Sequence, residues 1–172
     1  MSNPTIMASE ESHEFRILEG ARALLAAAAG ASYNYDVDGA FIVNQPQLKH
    51  LTEAANDAGV SDWPKALYYV HPGDAIFVVD TGCASRVTGD FMVTAGVRIG
   101  GPELPWQAGY VSMVAVQMRM LADIYRALNG QEIAGASIFV ANRNLVLEVD
   151  GWALVQVQLS FEYSEPTAGE VV

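Results

Sequence analysis

The sequence has a single cysteine and few positive charges. Cys83 is alone among 172 residues, so the chain can form neither an internal disulfide nor a metal cluster of cysteines. Nine Lys and Arg residues stand against twenty Asp and Glu residues, which gives a formal net charge of −11. A protein that coats nucleic acid needs a basic stripe to displace counterions from the phosphates. The composition therefore argues against general nucleic-acid coating, and the lone cysteine indicates synthesis in a reducing cytosol.

The sequence also lacks a long apolar run. The longest candidate, Ala21–Ala29, is interrupted by Arg22 and is too short to span a bilayer, which needs about 20 apolar residues. Glu10, Glu11 and Glu14 precede it, where a secretory signal would carry positive charge. We therefore expect a soluble protein that does not contact a membrane.

Motifs for catalysis and cofactor binding are missing as well. The chain contains no GxGxxG and no GxxxxGK[ST], so we expect no phosphate-binding loop. His71 and Cys83 are the residues best placed at strand ends or turns, but the sequence places no base or orienting partner beside either of them. We therefore expect no catalytic residue, no metal site and no cofactor, and the chain is predicted not to be an enzyme.

The residues that are present predict two helices. The first is expected from Ser9 to Ala29, with Gly30 at its end, because apolar residues recur there at helical spacing. The second is expected from Ala108 to Asn129. Its predicted apolar stripe contains Val114, Met118, Leu121, Tyr125 and Leu128, widened by Met113, Met120 and Ile124, whereas Gln117, Arg119, Asp123 and Arg126 are expected to face solvent or a neighbouring subunit.

Strands are predicted between and after these helices. Two apolar runs flank a turn-like HPGD segment, and both are expected to be buried on both faces or covered by a helix. Alternation predicts a further, half-buried strand that ends before several Gly and Pro residues. A short strand and a short helix are expected upstream. In chain order these elements are strand Ala40–Val43, helix Gln47–Ala58, strands Ala66–Val70 and Ala75–Val79, and strand Phe91–Ile99.

The chain is predicted to close on a β-hairpin around Asp150-Gly151. A strict two-residue turn would put Val155 on the wrong face, so we expect a longer loop or a bulge near Trp152–Leu154. In the last strand, Val155, Val157, Leu159, Phe161 and Tyr163 alternate with a polar row consisting of Gln156, Gln158, Ser160 and Glu162. The pattern predicts that one face of the strand is apolar and packs on a core, and that the other face is polar and open.

Taken together, the elements predict a single domain over residues 1–172 of the α+β class. An antiparallel or mixed sheet carries two helices packed on it and ends in the C-terminal hairpin. The ends, residues 1–8 and 164–172, are expected to be flexible.

Several segments of the second half resemble the phage tail terminator family. The resemblance covers most of Ala66–Glu165 and, loosely, Glu10–Gly30. It is carried, in chain order, by LYYVHPGD from Leu67, Ser85-Arg86, Asp90 leading into FMVTAGVRI, a helix ending in RALNG, and a hairpin closing on LVQVQLSFEY. Members of this family also open with a helix like Glu14–Ala29.

The resemblance implies a structural virion protein of the tail or neck, made in the host cytoplasm. Such a protein forms a ring of its own copies, most often a homohexamer. The ring caps the tail tube protein, ends tube elongation and joins the tail to the head connector or neck protein. Genomic DNA passes through the ring during ejection without sequence-specific binding. The acidic composition is consistent with such a conduit.

Two groups of residues are candidates for these roles. Gln156, Gln158, Ser160 and Glu162 are expected to face the lumen, because they form a polar row with one charge. The candidate residues for subunit or partner contacts are Arg86, Asp90, Trp106, Arg119 and Arg126. The arginines would meet the acidic surplus of the next subunit.

Two other classes remain open. The chain could be another neck or tail component, such as a connector stopper or a tube subunit, although two substantial helices count against a tube subunit. It could also be a small α+β ligand-binding domain or enzyme with a pocket near His71 and Cys83. A polar cluster within the apolar faces would distinguish that class, and the sequence shows none.

Overall fold

The fold is α+β, as the order of elements predicted. A computed structural model describes residues 12–43, 65–80, 82–98, 113–149 and 152–166. These ranges form helices α1 (His13–Ala26) and α2 (Met113–Leu128) and strands β1 (Asp36–Ile42), β2 (Lys65–Asp80), β3 (Ala84–Arg98), β4 (Glu132–Ile133), β5 (Ala136–Val149) and β6 (Trp152–Pro166). The expected helix Gln47–Ala58 and the candidate residue Trp106 lie outside the described residues.

The strands form one mixed sheet in the order β1-β2-β3-β6-β5-β4. β1 runs parallel to β2, and every other neighbouring pair is antiparallel. Both helices contribute to one apolar core with the odd-numbered residues of β6, so they pack on the same face of the sheet. The opposite face carries polar side chains of the central strands and, at one end, a second buried apolar cluster that consists of Leu67, Tyr69, Trp152 and Leu154.

Helix α1 forms where its apolar stripe requires it, although it starts later than expected. Ser12 caps the first turn, where its hydroxyl accepts a hydrogen bond from the Phe15 N–H at 3.2 Å. Ile17, Ala21 and Leu25 are fully buried, in agreement with the predicted stripe. The helix leaves its regular geometry at Ala27, and Gly30 then adopts a left-handed φ of 99°.

β2 is one long strand, and the prediction of two strands around a turn was wrong. Its first half pairs with β3 as far as Pro72↔Phe91, and the pairing resumes in the same direction at Ile76↔Gly89. The intervening residues form a bulge opposite Asp90. Pro and Gly are found at bulges as well as in turns, so the HPGD segment has the right composition for either structure.

The C-terminal hairpin keeps its two-residue connection, and the expected irregularity lies in the partner strand. Val149 pairs with Trp152, but Val146 already pairs with Leu154, so the extra residue belongs to β5 rather than to β6. β6 also runs further than expected. Ser164–Pro166, predicted as part of a flexible end, pair with Ala84–Arg86 of β3, because β3 itself starts early enough to supply partners.

The buried face of helix α2 overlaps the predicted apolar stripe only in part: Leu121, Leu128, Met120 and Ile124 are buried as predicted. Val114, Met118 and Tyr125 are about half exposed, although they were expected in the buried stripe. The buried face instead includes two polar residues that were expected in solvent, Gln117 and Asp123. Gln117 donates a hydrogen bond from Nε2 to the Leu154 carbonyl at 2.9 Å, so its polar group is satisfied against β6.

Four tyrosines in this fold should resist ionisation. Burial raises the pKa of Tyr35, Tyr68, Tyr69 and Tyr163 above the ordinary value near 10. Because the unfolded chain ionises these phenols at a lower pH, their contribution to stability is fully present below about pH 10 and is lost as the pH rises above it. We expect the free energy of unfolding to fall steeply in alkaline solution.

Phenolate absorbance and circular dichroism, followed together from neutral to alkaline pH, test this expectation. Part of the phenolate signal should appear only as the fold is lost, whereas urea-unfolded protein should titrate in one step near pH 10. Ionisation of all seven tyrosines in one step near pH 10, with the dichroism unchanged, would contradict it.

Candidate functional site

The predicted polar row lies on the face of the sheet away from the two helices that the structure describes. In β6, Val155, Val157, Leu159, Phe161 and Tyr163 are all at most 5% exposed and belong to the core. Gln156, Gln158, Ser160 and Glu162 are half-buried and point to the opposite face. The alternation predicted from the sequence is therefore present, with the polar residues directed away from both helices.

Neighbouring strands extend this row into a surface, which we call the polar face. Residues directly opposite each other in an antiparallel pair share a face. Gln156 lies between Thr94 of β3 and Asn144 of β5, and Gln158 lies between Met92 and Asn142. The centre of the polar face is therefore made mainly of amide, hydroxyl and thioether groups, and Asp90, which lies opposite Ser160, adds one acidic group.

An ion pair stands at one end of the polar face. Arg86 of β3 donates from Nη2 to Glu162 Oε2 of β6 at 2.6 Å, and this hydrogen bond raises the pKa of Arg86. From the sequence, Glu162 is expected to face the lumen and Arg86 to lie at a subunit contact. The structure joins them within one chain, because Arg86 and Glu162 lie on adjacent strands in diagonal register. Arg86 thus has an acidic partner within its own subunit.

The β2 bulge forms a cleft beside the polar row. A space of about 360 Å³ is lined by His71, Pro72, Gly73, Asp90, Met92, Gln156 and Gln158. Asp90, a candidate for subunit contact, instead accepts a hydrogen bond from Gln158 Nε2 at 2.8 Å. A Cβ atom at Gly73 would overlap the carboxylate and the backbone oxygen of Asp90, so glycine permits this close approach.

The two residues considered for chemistry lie apart. His71 is buried beside Thr94, with 3.4 Å between Nε2 and Oγ1, and it belongs to the cleft. Cys83 is exposed at the tip of the β2–β3 hairpin, beyond the start of β3. Among the residues that the structure describes, no three His, Cys, Asp or Glu side chains come close enough together to hold a metal ion.

The candidate arginines of α2 contact the segment that follows α1. Arg126 Nη1 donates to the Ser32 carbonyl, and its guanidinium lies 5.7 Å from the centre of the Tyr33 ring. Burial raises the pKa of Tyr35, and the hydrogen bond from Arg119 opposes that rise. Both arginines therefore have partners inside the subunit, which the sequence could not show because the partners are distant along the chain.

Asp123 is a buried carboxylate, although the sequence predicted that it faces solvent or a neighbouring subunit. It is fully buried and accepts hydrogen bonds from the backbone N–H groups of Asn34 and Tyr35 at 2.9 to 3.1 Å. The Asn34 side chain adds a third donor at 2.8 Å, and Arg126 lies 3.8 Å away. The available signal was an acid placed between the apolar residues Met120, Leu121 and Ile124.

The far half of β2 forms an exposed apolar segment, which we call the arm (Ile76–Val79). Its four side chains are 51–65% exposed, whereas the sequence predicted burial. The arm pairs with Val87 and its neighbours in β3 but extends past the helices that cover the rest of the sheet. The apolar run forms a strand, as predicted. The prediction that this part of the strand is buried was wrong.

The chain matches no model of a known protein family, and a search of curated proteins finds no similar sequence. In the described part of the chain, neither helix is long and apolar enough to cross a membrane.

Proposed function

We propose that this chain is a structural virion protein whose copies form a ring on the end of a phage tail tube. The ring stops elongation of the tube, joins it to the head connector or neck protein, and lets DNA pass through its centre. The observation that carries the proposal is the polar face, a surface of β2, β3, β6 and β5 on the side of the sheet away from both helices. The proposal assigns no catalytic step, metal or cofactor to the chain.

The chemistry of the polar face supports a passage for DNA. A wall that held phosphates with lysine and arginine would bind the duplex and slow its movement. Amide and hydroxyl groups occupy the centre of this face, and Arg86 is already paired with Glu162. The net charge of −11 acts in the same direction, since it weakens nonspecific attraction to phosphates.

The position of the resembling segments also supports the proposal. LYYVHPGD lies in β2, FMVTAGVR in β3 and LVQVQLSFEY in β6, and these are three adjacent strands of the sheet. RALNG closes α2 on the opposite face. The segments that resemble tail terminators thus build one continuous half of the domain.

The first test is whether the protein forms rings. Negative-stain microscopy and a mass measurement of purified protein, alone and with a tail tube, should give closed rings with a central hole, most often sixfold. A strictly monomeric species that contacts no tail or neck component would contradict the proposal.

The second test changes the charge of the polar face. The double variant Gln156→Lys, Gln158→Lys should fold nearly as the parent does, because both half-buried side chains point away from the core, and should slow DNA passage in assembled particles. Asp90 lies beside position 158 and will partly neutralise its ammonium, so Gln156→Lys is expected to carry most of the effect. Ejection kinetics, and binding of duplex DNA to purified rings at several salt concentrations, provide the measurement.

The matched control adds the same two charges elsewhere. Ala23→Lys with Ala26→Lys changes exposed positions of α1, on the side of the sheet away from the polar face. This control should eject DNA at the parental rate. Equal behaviour of the two double variants would show that the polar face does not line the passage.

A further inference from the structure

Among the strands that the structure describes, the sheet has an uncovered edge on each side. β1 lies beside β2 only as far as Ile42↔Val70, and no described strand covers the arm beyond it. On the other side, β4 and the residues before it cover β5 at Ala136–Ile138, and Asn129 reaches the Val140 N–H. From Asn142 to Val149, β5 pairs with β6 alone among the described strands. Uncovered strand edges are ready to pair with another chain.

The arm lacks the features that natural proteins use to protect an edge. Such edges are usually short, charged or covered. Ile76, Phe77, Val78 and Val79 are four consecutive apolar residues, each more than half exposed. Their side chains alternate between the two faces of the sheet, so the arm presents exposed apolar groups on both faces. Exposed apolar groups beside an unprotected strand edge are typical of a site where another chain adds a strand.

The two edges are complementary in direction. β2, β3, β6 and β5 are successive neighbours, and each pair is antiparallel. β5 therefore runs opposite to β2. If a second copy continued the sheet in the same orientation, its β5 would meet the arm as an antiparallel strand, which is the pairing already used across this sheet.

The edges are also complementary in position along the strands. Ile76 is level with Gly89, Phe161 and Ile138, so the free arm lies level with the covered start of β5. Val70 is level with Arg143, so the free part of β5 lies level with the part of β2 that β1 covers. A copy displaced along the strands sets free edge against free edge, and neither β1 nor β4 obstructs it.

The size of this displacement is compatible with a closed ring. Matching the two edges takes a shift of about six residues, or about 20 Å, over four strand spacings of about 19 Å in total. The strands would then tilt by about 45° from the ring axis, at the upper end of the range found in closed barrels. A heterologous contact of this kind repeats from copy to copy, and the copies form a closed ring when the rotation between neighbours is a whole fraction of a full turn.

We propose that the arm of one copy pairs with β5 of the next, around Asn142–Asn144, as an added antiparallel strand. The partner of the arm is thus a second copy of this chain. The contact deepens the proposed function, on which it rests for the closed ring. It keeps the polar faces of successive copies on one continuous surface, since pairing along a sheet preserves its two sides.

Engineered disulfides test this contact. In a Cys83→Ser background, Val79→Cys is combined in turn with Asn142→Cys and with Asn144→Cys. Val79 is opposite Arg86, and both asparagines are opposite polar residues of β6, so these side chains share the polar face. Oxidation should give a ladder of linked multimers on a denaturing gel that reductant abolishes. Val78→Cys with Asn142→Cys is the matched control, because Val78 lies opposite the buried Val87 on the other face and should not link.

The outcomes separate this contact from the proposed function. If the cysteine variants form rings but neither cysteine pair becomes linked on oxidation, the contact is overturned and the ring stands. Equal linking of the control pair has the same consequence. Linked multimers that neither cap a tail tube nor bind a neck component would support the contact and overturn the proposed function. Monomers that never link would overturn both.

Discussion

Replacing Ile76 and Val78 by lysine should abolish assembly and leave the subunit folded. Both side chains are more than half exposed in the arm, and the proposed contact buries them against the next copy. Their replacement should therefore reduce the binding free energy by about 2 kcal/mol per contact, which corresponds to about a 30-fold weaker association. Lysine on a strand edge also disfavours addition of a further strand. Because every subunit contact in a ring carries this loss, sedimentation at the parental assembly concentration should show monomers.

The matched control for this prediction lies on α2. Val114→Lys with Met118→Lys adds the same charge at apolar positions of nearly the same exposure, 54% and 52%. It should assemble as the parent does, because neither residue belongs to a sheet edge. Circular dichroism and urea unfolding verify that both double variants are folded. If the arm variant assembles normally, or if the α2 variant fails equally, the arm is not the subunit contact.

Replacing Asp123 by alanine should destabilise the subunit strongly. The substitution leaves the buried N–H of Tyr35 and the part-buried N–H of Asn34 without their acceptor and removes the acidic partner of Arg126. Removing one partner from a buried, hydrogen-bonded charge costs about 3 kcal/mol. Asp123→Asn keeps one acceptor oxygen and should cost less, on the order of 1–2 kcal/mol. Urea unfolding of the isolated subunit measures both values.

The control for Asp123 is an acid on the surface. Asp38→Ala removes the same functional group from an exposed position of β1 and should change the free energy of unfolding by less than about 0.5 kcal/mol. If Asp123→Ala were as mild as Asp38→Ala, the carboxylate would not hold the Asn34–Tyr35 segment against α2.

The polar row of β6 could be predicted from the sequence because apolar and polar residues alternate along the strand. This alternation indicates which residues face the core and which face the other side of the sheet. In β6, every residue from Val155 to Tyr163 lies on the side that its polarity indicated. This success depends on local geometry alone, since successive side chains in any strand point to opposite faces. The neighbours of the row, such as Thr94 and Asn142, depend on register, which the sequence did not specify.

The arm could not be predicted because an apolar run does not reveal what covers it. Ala66–Val70 and Ile76–Val79 have similar composition, yet the first is buried on both faces and the second is exposed. A rule that places apolar runs inside assumes that the single chain supplies the cover. An apolar surface for another chain has the same composition as a core strand.

The buried face of α2 was predicted only in part, for a related reason. Apolar residues occur on two of its sides, so Val114, Met118 and Tyr125 extend a stripe that the core uses only in part. Asp123 and Gln117 were assigned to solvent by residue type. Their burial is possible only because Asn34, Tyr35 and the Leu154 carbonyl supply partners from distant parts of the chain.

The central pairing of β3 with β6 has a consequence for biosynthesis. Val93 pairs with Val157, and Ala84 pairs with Pro166. The middle of the sheet therefore cannot form until β6 has left the ribosome, and such non-local pairing is slow. During translation, β2 and β3 are a hairpin with an unpaired side and an apolar tip, the kind of intermediate that chaperones retain. A chain released before β6 emerges has the arm paired with β3, but it lacks the strand that joins this hairpin to the rest of the sheet.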